Sequence, residues 1–568
     1  MDVRAPRRRR LLAALLALAA ILAAAAPAAA QDLRRPASQT DPPPFYELSA
    51  AQARDVADGR AEVRRERERR GALYGVAYTK GGRLWQVSYF AGGVERVQVV
   101  VDDRDGRVLE AWTGNQVRWR MARGYEGAFG RTLNSPWVWL PLCLLFLLPF
   151  VDPRRPFRLL HLDLLVLLGF SVSHLFFNRG EIGVSVPLVY PVLAYLLVRM
   201  LVAGLRGARG RAGPLLPLFP MAAVALGLVF LVGFRVALNV TDSRVIDVGQ
   251  SSVVGADRIT DGRELYGQPF SPTDQHGDTY GPVTYLLYVP FELALPWKGR
   301  PDPAAAHAAA IAFDLLTLIG LLVLGRRVRA GPAGWTLGVA LAYAWAANPY
   351  TLFVMQSNAN DSAVAMLLVW ALVGIASAPA RGAFVALAAA SKFSPAVLVP
   401  LLVRAPAARR SNFIIYGATV GLVLVAAFLP FVPDGGFREI YDRTVGFQLA
   451  RESPFSIWGQ EDALAPLHTA LKVAAALLTV AIAFVPRCRD TIQVAALAAA
   501  VVIAVQLVVT HWFYLYVVWF LPLVLVALLA PLAGGRREAL GPGLELHARD
   551  VDHLGDQPVP AGAHHQLQ

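Results

Sequence analysis

The chain has 568 residues, of which 55% are hydrophobic and 17% charged, and its net charge is +13. A chain this long, apolar and charge-poor cannot hide its hydrophobic surface in a water-soluble core, so a bilayer must solvate most of it. The positive excess sits in short arginine clusters between apolar runs, a pattern of topology signals and not of a nucleic-acid-binding face, and with only Cys143 and Cys488 no disulfide framework is expected.

Arg7 to Arg10 precede the apolar stretch Leu11 to Ala26, and Ala28-Ala29-Ala30 before Gln31 has the small-residue form of a cleavage site. Residues 1–30 therefore read as a signal peptide, with an uncleaved first transmembrane helix as the alternative. Either reading puts the residues after Gln31 outside the cytoplasm. Residues 31–47 are polar and proline-rich and read as a linker. Ser49 is placed to cap a charged helix ending near Arg70. From Leu73 to Trp112 the pattern changes to short alternating runs, including strands over Arg83 to Phe90 and Val94 to Val101. Gly81-Gly82, Gly92-Gly93 and Asp103 to Gly106 punctuate these runs as turns. Residues 48–114 are thus expected to form a small α+β extracytoplasmic domain, isolated by its polar flanks and separable from the apolar remainder of the chain.

Apolar runs occur at 136–151, 159–177 and 184–204, and then across residues 215–532 at 215–238, 303–325, 333–349, 361–378, 412–432, 465–486, 491–510 and 512–532. The expected fold class is an all-α polytopic membrane protein with about eleven crossings. Starting from outside, the positive-inside rule puts Arg154-Arg155, Arg206 to Arg211, Arg326 to Arg329, Arg404 to Arg410, Arg487 to Arg489 and Arg536-Arg537 in the cytoplasm of a cell membrane. Two segments must then not change sides. Residues 283–297, with Pro290, Glu292 and Pro296, are expected to lie at the outer interface. Residues 382–404 are expected to form a re-entrant hairpin turning near Lys392 to Pro395, with arms of about 16 Å. The tail 534–568 lacks apolar periodicity and reads as disordered in the cytoplasm.

Chemistry-bearing residues concentrate in the outward loop Asn239 to Gly281, which holds Asp242, Asp247, Asp257, Asp261, Asp274, His276 and Asp278. Of the lysines Lys80, Lys298, Lys392 and Lys472, only Lys392 lies in the middle of an apolar region. An ionised lysine there costs about 3 kcal/mol, which makes it a functional candidate; snorkelling to an interface is the structural alternative. Gln356 and Asn358 can hydrogen-bond a sugar or phosphate, although helix caps look the same in sequence. His511 starts the last apolar run beside Trp512, Tyr514 and Tyr516, a group that fits an interface belt better than a sugar platform. In the loop 433–464, Arg443 and Arg451 can assist a phosphate, and Trp458 can stack on a sugar or prenyl chain; a packed lid is the bland alternative. The spacing Asp274-x-His276-x-Asp278 is too non-specific to predict a metal site, and Asn239-Val240-Thr241 matches a glycosylation acceptor only by chance.

Several of these elements occur in a meaningful order. Asp247 comes after an apolar helix, Gly262 to Tyr266 reads Gly-Arg-Glu-Leu-Tyr, Tyr280-Gly281-Pro282 opens the interfacial segment, Gln356-Ser357-Asn358 precedes an apolar run, and Ser391 to Pro395 reads Ser-Lys-Phe-Ser-Pro. Over residues 215–532 this order resembles the C-type membrane glycosyltransferases, most closely the polyprenyl-phosphate-mannose-dependent family 87. Gly281 and Met355 depart from the proline and glycine of that family's motifs. The helix-plus-meander of residues 48–114 resembles, weakly, a PepSY-type domain, and residues 136–204 are additional transmembrane helices outside the resemblance.

The resemblance implies transfer of a hexose, mannose in the family, from a polyprenyl-phosphate co-substrate to a glycan, lipid or protein acceptor outside the cytoplasm, with no cofactor. Asp247, with Asp242 second, would be the base. Lys392 and Arg443 would hold the donor phosphate, and Tyr280, Gln356, Asn358, Trp458 and His511 the sugar or lipid. Two other classes stay open on the residues alone: a transporter or flippase of lipid-linked sugars, and a non-enzymatic membrane sensor using the N-terminal domain.

Overall fold

A computed structural model of the chain describes residues 33–124, 131–207, 211–270, 274–404, 410–486 and 489–533. The expected signal segment and the expected disordered tail lie outside these residues, as do Arg487 and Cys488.

The N-terminal domain is an antiparallel four-stranded sheet in the order β1 (Tyr74–Lys80), β2 (Leu84–Ala91), β3 (Val94–Asp102), β4 (Val108–Thr113). Alternation places Trp85, Val87 and Tyr89 of β2 beside Val97, Val99 and Val101 of β3 on one face, where they bury against Ala50, Ala53, Ala57 and Val63. Ser49 caps the first helix through a reciprocal box with Gln52, as expected. The expected single helix to Arg70 is instead two, Ala50–Asp58 and Ala61–Arg70, because the chain breaks at Gly59-Arg60.

The expected linker is also more ordered than its composition suggests. Arg34 pairs with Thr79 at the edge of β1, and Tyr46 packs edge-on against Trp85. Asp103 anchors its end, accepting from the backbone N–H groups of Glu47 and Leu48, the Trp85 indole and Arg83. A proline-rich segment can do this because bridging needs only one or two free backbone N–H groups.

The rest of the chain is a bundle of apolar helices, the architecture of a helical membrane protein. Seven described helices are long and apolar enough to cross a bilayer, and an eighth span results if Gly331–Ala347 and Pro349–Gln356, bent by 59°, act as one. The about eleven crossings expected from the apolar runs exceed this, because Pro136–Phe150, Asp361–Val373 and Tyr514–Leu529 are shorter helices. Asp361–Val373 is nearly all buried, so its neighbours are protein and not lipid. Of the seven long helices Thr491–Val508 is the most enclosed, 67% buried, whereas Asp462–Phe484 is 17% buried and peripheral.

Buried ion pairs tie the helices together. Arg199 and Tyr195 meet Asp163, and Arg235 meets Asp314 with the Trp345 indole on the same carboxylate. The expected hairpin is present as a folded-back pair. Helix Ala378–Ser391 ends at Lys392, a tight 3-10 turn runs Ser394–Leu398, and Val399–Val403 returns. Arg381 in the first turn donates to the carbonyls of Leu402 (2.9 Å) and Val403 (3.3 Å), joining the two ends. Residues 283–297 form two short helices, Pro282–Leu286 and Val289–Ala294, with Glu292 buried under Thr260.

Candidate functional site

A cavity of about 810 Å³ opens where the N-terminal domain, the hairpin break and the loops around residues 246–280 and 447–452 meet. Five of the residues given a binding or catalytic role from the sequence line it: Asp247, Tyr280, Lys392, Arg451 and His511.

Asp247 is the first residue of helix Asp247–Thr260, and the loop before it is held by backbone pairing. Arg244 N–H donates to Gln356 O (3.2 Å) and Ile246 N–H to Ser357 O (3.1 Å). Asn358 turns the chain there with φ of 49°, a left-handed conformation that asparagine tolerates, and its side chain bonds Asn239 and Ser243. Gly249 makes the approach possible, since a Cβ there would lie 2.2 Å from the Asn358 carbonyl oxygen. The Gln356-Ser357-Asn358 motif thus acts as the scaffold that presents Asp247.

The Asp247 side chain is exposed into the cavity, whose walls crowd it and displace part of its surrounding water. That desolvation raises its pKa above the ordinary aspartate value. The Val248 N–H, Arg451 and Lys392 pull it down, and the neighbouring Asp274 charge pushes it further up.

Lys392 stands at the hairpin break, buried, 2.6 Å from Asp361 Oδ1. Trp519 donates its indole N–H to the same oxygen, and Asp361 Oδ2, also buried, has no hydrogen-bond partner among the described residues. The ammonium faces the rings of Tyr280, Trp519 and Tyr516 at 5.0, 5.4 and 5.9 Å. Aromatic faces and one carboxylate oxygen keep the charge without consuming all three N–H donors.

The break itself is locked from the juxtamembrane side: Gly281 N–H and Thr284 Oγ1 both donate to Ser391 O. A Cβ at Gly281 would stand 1.9 Å from the Ala390 carbonyl oxygen, so no larger residue, proline included, fits there without a shift. Tyr266, from the Gly262 to Tyr266 element, donates to Tyr280 O (2.8 Å) and so positions the next element of the series.

The remaining wall is cationic and aromatic. Arg451 lies 5.1 Å over the ring of Trp119, which comes from the segment leaving the N-terminal domain. His511 packs 5.9 Å from Trp119 and shares a 2.8 Å hydrogen bond with Ser453. Arg118 pairs with Glu452 at 3.0 Å on the rim.

The other predicted residues lie elsewhere. Asp242 accepts from the Thr132 N–H (3.1 Å) and does not line the cavity. Arg443 donates to Gly267 O and faces the buried Asp278, so it clamps a loop. Asn358 belongs to the scaffold, and Gln356 is buried with both amide atoms lacking a partner among the described residues. Trp458 stacks on His468 at 4.6 Å and donates to Leu507 O, which is the packed-lid arrangement. Asn239, 0% exposed and bonded to Met355 O, is closed to glycosylation.

Asp274 and His276 line the cavity while Asp278 does not, and among the described residues no three His, Cys, Asp or Glu side chains gather as a metal site would need. Asp361, Tyr516 and Trp119 went unrecognised as site residues. Asp361 had a signal, being the acidic residue that opens an apolar run just after Gln356 to Asn360.

The fold and the buried charges define a helical membrane protein with a polar, charge-lined cavity. In comparisons with known proteins, no family model and no curated protein matches the sequence.

Proposed function

We propose that the chain is a membrane glycosyltransferase of the C type, moving a hexose, mannose in the family it resembles, from a polyprenyl phosphate to an acceptor on the extracytoplasmic side of a cell membrane. The observation that carries this reading is one cavity lined by the carboxylate of Asp247, a buried ammonium, Lys392, and the guanidinium of Arg451. The acceptor hydroxyl oxygen attacks the anomeric carbon, and Asp247 takes its proton as the new C–O bond forms. The bond from the anomeric carbon to the phosphate oxygen breaks, and the electron pair leaves with the lipid phosphate. Lys392 and Arg451 stabilise that developing charge.

In this reading Asp361 is the counter-ion that holds Lys392 in place, and the loops around Asp247 and Phe447 face outward. The aromatic ring of Tyr280 and the His511 side chain border the donor sugar. The N-terminal domain, PepSY-like in pattern, stands on the same outer side.

The test is incubation of the purified protein in lipid with a labelled polyprenyl-phosphate hexose. Label is expected in a new glycoside or, with water as acceptor, in free hexose. Label that crosses a vesicle bilayer still attached to its lipid would support a flippase instead, and no change to the donor under any condition would end the transferase reading.

A further inference from the structure

Resting on that reading, we infer that the segment leaving the N-terminal domain supplies the acceptor-binding wall of the cavity, with Trp119 as the residue that packs against a carbohydrate acceptor. The sequence places residues 114–123 between a separable domain and the membrane helices, with no assigned role. In the fold this segment is sewn to both sides.

Arg123 is the stitch toward the sheet. Its guanidinium donates to Gln98 Oε1 of β3 and to Gln116 O, and lies 3.7 Å from Glu110 of β4. Gln116 is the stitch toward the bundle, donating its amide to Gly180 O (3.2 Å) between two membrane helices. The sheet face carrying Gln86, Ser88 and Gln98 is buried although polar, so it is a docking face and not a solvated one. Docking brings Arg118, Trp119 and Met121 into the lining of the cavity that Lys392 also lines.

Trp119 packs on the edge of the core and also lines the cavity. It is half-buried, and its ring meets Arg451, Phe455 and His511. Trp512 and Trp519 in the same region donate their indole N–H to Gln506 and Asp361. Trp119 donates its N–H to no described residue, although it lines a polar cavity. A partly accessible indole face with an undonated N–H at its edge matches a pyranose, whose C–H face packs on the ring while a hydroxyl accepts from the nitrogen. Trp119 adjoins Arg451 and His511, the groups this reading places at the donor phosphate and sugar, so an acceptor packed on its ring would lie beside the anomeric carbon it must attack.

The experiment compares wild type, Trp119→Ala, Trp119→Phe and Arg123→Gln in the full chain, with a labelled polyprenyl-phosphate hexose as donor. Methyl α-mannoside, methyl α-glucoside and methyl α-galactoside serve as acceptor probes, and release of free hexose to water is measured in parallel. Trp119→Ala should raise the acceptor KM by about tenfold, the scale of losing one aromatic anchor, a larger factor than any change in donor KM or in hydrolysis to water. Trp119→Phe keeps the ring and should lie between. Arg123→Gln loosens the docked segment and should raise acceptor KM in the same sense without touching the donor.

An acceptor KM unchanged in Trp119→Ala and in Arg123→Gln would overturn the inference while leaving the transferase reading intact. So would a wild-type chain that hydrolyses the donor but glycosylates none of the three hexosides. A wild-type chain that neither transfers nor hydrolyses would remove the transferase reading and this inference with it.

Discussion

Asp103 in the N-terminal domain is fully buried and Asp247 is exposed into the cavity, and the two aspartates are treated in opposite ways. Asp103 is fully buried, a position that by itself would raise its pKa, but the N–H groups of Leu48 and Glu47, the Trp85 indole and Arg83 outweigh burial and hold it below the ordinary value. Asp247 has one backbone N–H, that of Val248, and desolvation by the cavity walls outweighs it. A carboxylate surrounded by donors is a structural anchor with nothing left to react. One left short of donors is poised to take a proton. Asp361, with one oxygen on Lys392 and Trp519 and the other unpaired among the described residues, lies between these extremes.

The comparison breaks most sharply at Asp247. Asp247→Asn keeps size and hydrogen bonding but cannot accept the proton, so transfer should fall by about 100-fold or more while donor binding persists. Transfer rate and donor KM measured together decide it. Near wild-type turnover in this variant, with loss in Asp242→Asn, would move the base five residues upstream despite the position of Asp242 outside the cavity lining.

Asp103→Ala should have the opposite signature. It strands two backbone N–H groups and an indole, costing the N-terminal domain about 2 kcal/mol and leaving donor hydrolysis unchanged. Hydrogen exchange across β2 and β3 reads the stability. Because the folded-state pKa of Asp103 is depressed, its contribution is fully present above the unfolded aspartate value. It is lost as pH falls through the folded value, so the domain should loosen in acid, below the ordinary carboxylate range. Equal exchange protection in variant and wild type would show the network to be unimportant.

Lys392→Met keeps the apolar stem and removes the charge, so transfer and donor affinity should each fall by about tenfold, with an unpaired Asp361 left behind. A fall in transfer with donor affinity intact would assign Lys392 to holding the fold around Asp361 and not to the phosphate.

The smallest effect sharpens the comparison by pH. Asp247 acts as a base only when ionised, so kcat/KM should rise with pH through an inflection above the ordinary aspartate range. Asp274→Asn removes the neighbouring like charge, and the inflection should move to lower pH; movement upward would mean that another group controls the profile.

Much of this architecture could be read before any coordinates. The alternation from Leu84 to Val101, the Ser49 cap, the helix break at Lys392 and most apolar runs depend on neighbours within a few residues, so periodicity and turn chemistry report them directly. Lys392 stood out as a charge in the middle of an apolar region, whereas Asp247, one of several acids in a polar loop, was singled out by its place in the order of motifs that carries the resemblance. What the tertiary structure alone decided is which charges find each other. Asp361 pairs with Lys392, Arg451 and not Arg443 faces the cavity, and Trp119 meets His511 from almost the far end of the chain. A buried charge or an aromatic wall is satisfied by whatever the packing brings within a few ångströms, and separation along the chain leaves no periodic trace of that choice.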